Sequence, residues 1–339
     1  MAERFHIAEW YGRPFLELTD AERLKLADHK VGGSAMKKVE ITRLLFLEEK
    51  LAESGLSDHL SKRLNVLRAK LDDQRANELP CPFRTDTAYP TCNKAGGVCS
   101  LQLVTDDGGT IEPVAGEKSM VRATCPNRFQ QDNTVFRRIG EELLNDCDPA
   151  QLGEVGFLES SGNLDSEPGA DVGNIDMILM GARQSLDAPR KWAAVEIQAV
   201  YFSGKEMPIE FRQMKKTGGS VSMPIENRRP DYRSCGPKRL MPQLQIKVPT
   251  LRRWGKKMAV VVDLAFFKSM GRMREVDHVS NADIVWYLVD FPMNEDASLR
   301  NLVVVRRVLT TLESAIEGLT GGKPVSLDEF EERIEGKLA

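Results

Sequence analysis

The chain has 339 residues, 41% of them hydrophobic and 29% charged, and 47 Lys and Arg against 50 Asp and Glu give a formal net charge of −3. This balance excludes a disordered chain, which couples low hydrophobicity to high net charge, and a histone-like protein that holds polyanions by bulk charge. Six cysteines are far too few for a disulfide-stapled secreted scaffold.

The first residues, MAERFHIAEWYGRPF, carry Glu3 and Glu9 and no apolar core segment, unlike a signal peptide. No apolar run approaches the ~20 residues that span a bilayer. The expected setting is cytoplasmic and reducing, without a membrane partner. Residues 19–75 read as helices, with Thr19 or Asp20 as the first cap. The spacing of Ile41, Leu44, Leu45, Leu47, Leu51, Leu60, Leu64, Val66, Leu67 and Leu71 predicts packed amphipathic faces. Residues 76–130 are rich in Pro, Gly and Cys, and a helix is expected over 131–152. Strands are predicted at Val155–Leu158, Ile175–Met180, Trp192–Phe202, Lys257–Phe267 and Ile284–Phe291. Helix returns at Leu302–Leu319 and again after Ser326, which can cap it with Glu329 in the capping-box position. The fold class is therefore α/β, a mixed sheet flanked by helices. Its expected parts are an N-terminal helical region (1–75), a cysteine-rich subdomain (76–130), a core with basic loops (131–300) and C-terminal helices (301–339).

Cys81, Cys92, Cys99 and Cys125 are separated by ten, six and twenty-five residues. This is not a pair of C-x-x-C knuckles, but Pro, Gly and Asn around each thiol suit tight turns that aim sulfurs inward. Four converging thiolates suit zinc or a single iron in a closed, structural site; four unrelated buried cysteines are the alternative. Cys147 and Cys235 read as ordinary thiols.

Asp176 in GNIDMILM and Glu196 in KWAAVEIQAVYF are separated by nineteen residues. Residues two apart in a strand share a face, so Glu196 and Gln198 point one way while Val195, Ile197 and Ala199 are expected in the core. Carboxylates among core residues are costly without a compensating cation, and a hard divalent ion such as Mg²⁺ provides one. An acid on one strand and acid-x-lysine on the next is the layout of PD-(D/E)xK nucleases, and Gln198 stands here in the lysine position. The alternative is an edge strand with a solvated polar face.

Between Lys205 and Lys257 fourteen Lys and Arg face four acids, a net +10, so the rest of the chain sums to −13. The stretch reads as loops reaching round a duplex, with Lys on phosphates and Arg on base edges, or else as a solvated charged loop.

Four phrases in order, FHIAEWYGRPF, CPF…C…GVC, CPNR and VEIQAVYFSG, resemble the NotI type II restriction endonucleases, with coverage from residue 5 to about 205. The resemblance implies a PD-(D/E)xK core with a small four-cysteine metal-binding insertion, acting as a homodimer on a palindromic, GC-rich site in double-stranded DNA. It implies one structural iron on Cys81, Cys92, Cys99 and Cys125, with zinc as the alternative. It carries catalytic roles onto Asp176, Glu196 and Gln198, with Mg²⁺ on the two carboxylates and 5′-phosphate ends as product. A further family glutamate falls on Glu154, with Glu159 as the competitor. Arg228, Arg229, Arg233 and Arg239 are the candidates for reading guanine, and a cognate methyltransferase is expected as a genetic partner only. Two other readings compete: a repair or modification-dependent nuclease with the same core, and a non-enzymatic, metal-stapled DNA-binding protein.

Overall fold

The computed structural model describes residues 2–28, 38–76, 79–84, 91–162, 169, 171–183, 185, 189–205, 207–321 and 325–338. Residues 77–78 and 85–90 of the cysteine-rich stretch, and Glu206 of the basic stretch, lie outside these. From the N-terminus run β1 (Arg4–Trp10), β2 (Arg13–Pro14), α1 (Asp20–Asp28), α2 (Lys38–Ser54), α3 (Asp58–Ala76), β3 (Val98–Asp107), β4 (Thr110–Pro113) and β5 (Arg122–Ala123). Then come α4 (Thr134–Ile139), β6 (Ala150–Leu152), β7 (Val155–Glu159), β8 (Asp171–Ile175), β9 (Met177–Met180), β10 (Trp192–Gln198) and β11 (Phe202–Ser203). Next are α5 (Pro208–Lys216), β12 (Arg229–Pro230), α6 (Tyr232–Cys235), α7 (Met241–Arg253), β13 (Met258–Asp263) and α8 (Leu264–Lys268). The chain ends with β14 (Ile284–Asp290), β15 (Val303–Thr310), α9 (Leu312–Thr320) and α10 (Leu327–Leu338).

Contacts divide the chain into two units: Met1–Asp132 with Gly204–Arg229 and Met293–Asn301, and Asn133–Ser203 with Pro230–Pro292 and Leu302–Ala339. These differ from the four serial regions expected, because both units are assembled from segments far apart in sequence.

In the first unit an antiparallel sheet runs β2-β1-β3-β4, with β5 on β3, over a core that includes Ile7, Trp10, Phe15, Leu101, Val104 and Phe129. The opening residues thus form a strand ahead of the helices. Thr19 and Glu22 close a capping box at α1: the Thr19 amide donates to Glu22 Oε2 (2.9 Å) and the Glu22 amide to Thr19 Oγ1 (3.3 Å). Helices α2 and α3 meet through Leu44, Leu47, Leu64 and Leu67, with Leu60 and Leu71 beside them. Ile41, Leu45, Leu51 and Val66, expected on the packed faces, are exposed, because two helices in contact bury only a narrow seam.

The second unit holds a mixed sheet, β15-β14-β13-β10-β9-β6. β10, β13 and β14 are mutually parallel, while β9 and β15 pair antiparallel at either side. All six residues of β13 are buried, as expected of a parallel strand covered on both faces. Ala194, Val260, Val262, Trp286 and Leu288 pack against Leu244, Val248 and Leu251 of α7 and Leu312, Ala315 and Leu319 of α9.

Two expectations need correction here. Residues 303–310 form β15, paired with β14, and helix begins only at Leu312, where the Thr311 side chain accepts from the Ser314 amide. The run VVVRRVLT is β-branched, and its unpaired side leaves Val305, Arg306 and Arg307 exposed. The basic stretch is largely helical, not looped, since α5, α6 and α7 fall within it. Pro242 sits in the first turn of α7, where a missing N–H is tolerated, and Pro249 is accommodated inside the helix.

Candidate active site

The site is built from strand register within the second unit. β9 and β10 pair with Trp192 opposite Met180 and Val195 opposite Met177. One further step sets Asp176, at the break between β8 and β9, opposite Glu196. On the other side β6 sets Leu152 opposite Ile178, and β7 sets Val155 opposite Ile175. The same register, carried through the two residues between β6 and β7, brings Glu154 opposite Asp176. By register Glu154, Asp176 and Glu196 follow one another across neighbouring strands, with Glu154 and its surroundings exposed, but among the described residues the three side chains do not converge into a group that could hold a metal ion. Glu159 pairs with Asp171 at the far end of the β7–β8 ribbon, away from those three.

Asp176 and Glu196 differ in environment. The Asp176 side chain is 59% exposed and that of Glu196 is 8% exposed. Burial pushes the Glu196 carboxyl up to about 7; Lys247 pulls it down and Asp176, which shares a hydrogen bond with it, pushes it up further. Gln198 is buried, and its Nε2 donates to the Ala199 carbonyl at 2.6 Å. The expected division of β10 into a polar and a core face does not hold. Ala194, on the Glu196 side, belongs to the main core, while Ile197 is only partly buried. A strand inside a parallel sheet is covered on both faces, so the acid and the amide look into the protein.

Sequence reasoning missed Lys247. Its Nζ stands 2.8 Å from Glu196 Oε2 and 3.4 Å from Asp176 Oδ1, and its side chain is 2% exposed. The available signal was local: α7 buries Leu244, Lys247, Val248 and Leu251, so a lysine occupies the apolar stripe. Near neutral pH Glu196 and Asp176 share a proton beside one ammonium, and with that proton lost the two carboxylates are hard oxygen donors of the kind that fit Mg²⁺.

The four cysteines gather in the first unit. Cys81, Cys99 and Phe83 form a small buried cluster with Cys92 packed on it, and the Cys125 amide donates to the Cys99 carbonyl (3.2 Å). Burial raises Cys125 and pushes Cys92 up to about 11, while Cys99 is raised well above the ordinary thiol by burial and then by the Glu9 carboxylate. Backbone N–H groups of Lys94, Asn127 and Gly12 oppose these shifts at Cys92, Cys125 and Cys99. Thiols so placed are protonated at neutral pH, and a soft cation is what would ionise them. The donor chemistry fits zinc or iron. Among the described residues, however, no group of three or more His, Cys, Asp or Glu side chains stands ready to hold a metal ion. Cys147 is exposed; Cys235 is buried and accepts the Tyr201 amide at 3.1 Å.

The four arginines part company. Arg228 is buried, its NH1 donating to Glu210 (2.6 Å) and its Nε to the Lys205 carbonyl (3.0 Å), so it is spent inside the protein and does not reach a base. Arg229, Arg233 and Arg239 are exposed, and Arg239 lies over the Tyr201 ring at 4.0 Å while donating to its hydroxyl (2.7 Å). Among the described residues no helix is long and apolar enough to cross a membrane.

A mixed α/β sheet with helices on it, consistent with a nuclease fold, defines the class. The family model described as "Restriction endonuclease NotI" matches residues 65–301, more than half of the chain, and the chain belongs to that family. It is accordingly a type II restriction endonuclease, a site-specific deoxyribonuclease that binds DNA; such enzymes generally use Mg²⁺. No curated protein matches the chain.

Proposed function

We propose that the second unit is a PD-(D/E)xK core that cuts both strands of a GC-rich, palindromic DNA site in a Mg²⁺-dependent reaction, as a homodimer, leaving 5′-phosphates. The alignment of Glu154, Asp176 and Glu196 across adjacent strands, with Gln198 one step beyond, carries this reading. Asp176 and Glu196, with the Ile197 carbonyl, would hold the metal, and Glu154 would bind it directly or through water. When bound, Mg²⁺ neutralises charge on the phosphate and lowers the pKa of the attacking water. Burial favours a proton on Glu196 in the metal-free protein, and that proton would be released when the carboxylate becomes a ligand. Gln198 has its Nε2 engaged with Ala199, so its Oε1 is the atom free to accept a hydrogen bond from the attacking water and orient it. Attack that expels the 3′ oxygen leaves the phosphate on the 5′ end.

Incubation with a sequenced plasmid and Mg²⁺, followed by sequencing of fragment ends, gives activity, site and stagger together. A single site with 5′-phosphates on unmodified DNA is the expected result; cutting confined to modified DNA favours a modification-dependent nuclease. Cleavage that persists unchanged in Asp176→Ala contradicts the assignment.

The structural metal on Cys81, Cys92, Cys99 and Cys125 is proposed to be iron, with zinc as the alternative. Thiolate-to-iron absorption with about one iron per chain is expected; colourless protein with stoichiometric zinc changes the ion and keeps the ligands. Arg229, Arg233 and Arg239 are the proposed guanine readers, since bidentate arginine is the usual contact to guanine O6 and N7. A cytoplasmic site of action and a methyltransferase as genetic partner complete the reading.

A further inference from the structure

We infer that Lys247 is a catalytic residue of this endonuclease, delivering from helix α7 the ammonium that neutral Gln198 cannot supply from the strand. The inference rests on the reading of Asp176 and Glu196 as the metal-binding carboxylates. Burying an ammonium is unfavourable unless it is paired, and an apolar residue would complete the stripe of Leu244, Val248 and Leu251 without that penalty. Lysine stands there instead, almost without solvent, and its ammonium pairs with the two carboxylates.

The ammonium is shared between two carboxylates, Glu196 Oε2 at 2.8 Å and Asp176 Oδ1 at 3.4 Å, the second of them 59% exposed, and is not closed in a one-to-one structural pair. With the carboxylates turned to a divalent cation, the three Nζ donors lose their partners, and the anion left in the site is the scissile phosphate with its attacking water. A lysine two residues beyond Glu196 would reach that position along β10; Lys247 reaches it from the helix that covers β10. Gln198 is then left to orient, its Nε2 held by the Ala199 carbonyl, while Lys247 stabilises the charge that develops on the phosphate.

Three readouts test this on Lys247→Met, Lys247→Gln, Lys247→Arg and Asp176→Ala in the full chain. They are single-turnover cleavage of a fragment bearing the mapped site with Mg²⁺, binding of that fragment with Ca²⁺ in place of Mg²⁺, and thermal unfolding. Cleavage rates are normalised to the folded fraction, and the Gln variant keeps a hydrogen-bonding group should the Met variant unfold. The expected loss for the neutral variants is roughly 10²–10³-fold in cleavage rate. Fragment affinity should stay within about twofold, and Lys247→Arg should recover part of the rate through its retained charge. A folded Lys247→Gln cleaving within about threefold of wild type overturns the inference, as does an Arg variant no faster than Gln. Cleavage surviving in Asp176→Ala removes the carboxylate assignment itself, whereas a dead Asp176→Ala beside an active Lys247→Gln removes only the role of Lys247.

Discussion

Replacing Glu196 by Gln should stabilise the protein above neutral pH while abolishing cleavage. Gln is the isostere of the protonated acid, so the variant fixes the state that burial favours. An ordinary glutamate titrates near 4.5, and the folded protein raises Glu196 to about 7. A raised carboxyl pKa means that the native state holds the proton more tightly than the unfolded chain. Its stabilising contribution is full below pH 4.5 and is lost as pH rises through about 7. The gap corresponds to on the order of 3 kcal/mol, at about 1.4 kcal/mol per pH unit. Wild type and Glu196→Gln should therefore have similar stability near pH 4.5 and diverge until wild type is the weaker by that amount at pH 8.

Urea unfolding in EDTA, from pH 4.5 to 8, reads this difference. Trp192, Trp254 and Trp286 all lie in the second unit, so tryptophan fluorescence is weighted towards the unit that carries Glu196. Subtracting the two profiles removes the titrating groups that do not interact with Glu196, leaving it together with Asp176 and Lys247. Parallel profiles, or a Gln variant less stable than wild type at pH 8, would refute the claim that burial dominates the site. Adding Mg²⁺ at pH 8 should stabilise wild type and leave the variant nearly unmoved, because a ligand stabilises only the state that binds it.

Three further outcomes are expected. His6 is held down to about 4 by burial, so its neutral form stabilises the fold above pH 6.5 and that contribution, on the order of 3 kcal/mol, is lost as pH falls towards 4; His6→Leu should flatten this limb of the urea profile. Arg128→Met removes the cation from a fully buried pair with Glu9 and should cost about 3–5 kcal/mol. A double variant with Glu9→Gln should recover much of that loss, as measured by urea midpoints. Gly97 has φ +66° and a Cβ there would run into the Tyr11 ring; Gly97→Ala should cost at least about 1 kcal/mol and speed the reaction of Cys92 and Cys99 with a thiol reagent.

What the sequence disclosed follows from the range of the interactions involved. MAVVVD and IVWYLVD, apolar runs that each end in Asp, announced β13 and β14 because strands buried on both faces need little else, although the strand expected to run on to Phe267 stops at Asp263, whose side chain caps α8. The pairing of Asp176 with Glu196 was legible because an antiparallel hairpin of fixed register is a local object, whereas the polar face was not, since β10 is covered on both sides. β15 was not legible: Arg306 and Arg307 break its apolar run, and only pairing with β14 makes it a strand. α7 was hidden by Pro242 and Pro249, and the contact between Lys247 and Glu196 joins positions 51 apart through helix-on-sheet packing. Counting charge over 205–257 also treated every basic residue as surface, whereas Arg228 and Lys247 point inward and Arg252 is paired with Asp283 and Glu313.

The same residue types make two very different objects in this chain, and the difference lies in protonation and solvent access. Glu9 and Arg128 are both wholly buried; Arg128 Nε donates to the carboxylate, Ser100 Oγ donates to it at 2.6 Å, and the remaining guanidinium groups donate to Gln131 Oε1 and the Arg300 carbonyl. One anion meets one cation and the donors find acceptors, so nothing is gained by admitting an ion or a substrate. The guanidinium also lies over Phe83 at 4.4 Å, which ties this closed network to the cysteine cluster. Asp176, Glu196 and Lys247 are also drawn together, but Glu196 keeps a proton up to about pH 7 and Asp176 stays open to solvent. Such a pocket can gain negative charge by losing that proton and is reachable from one side. Glu9 in FHIAEWYGRPF and Glu196 in VEIQAVYFSG look alike as single letters among apolar neighbours. Only their partners, one a closed buried pair and one a lysine shared with a solvent-exposed acid, separate the brace from the candidate site.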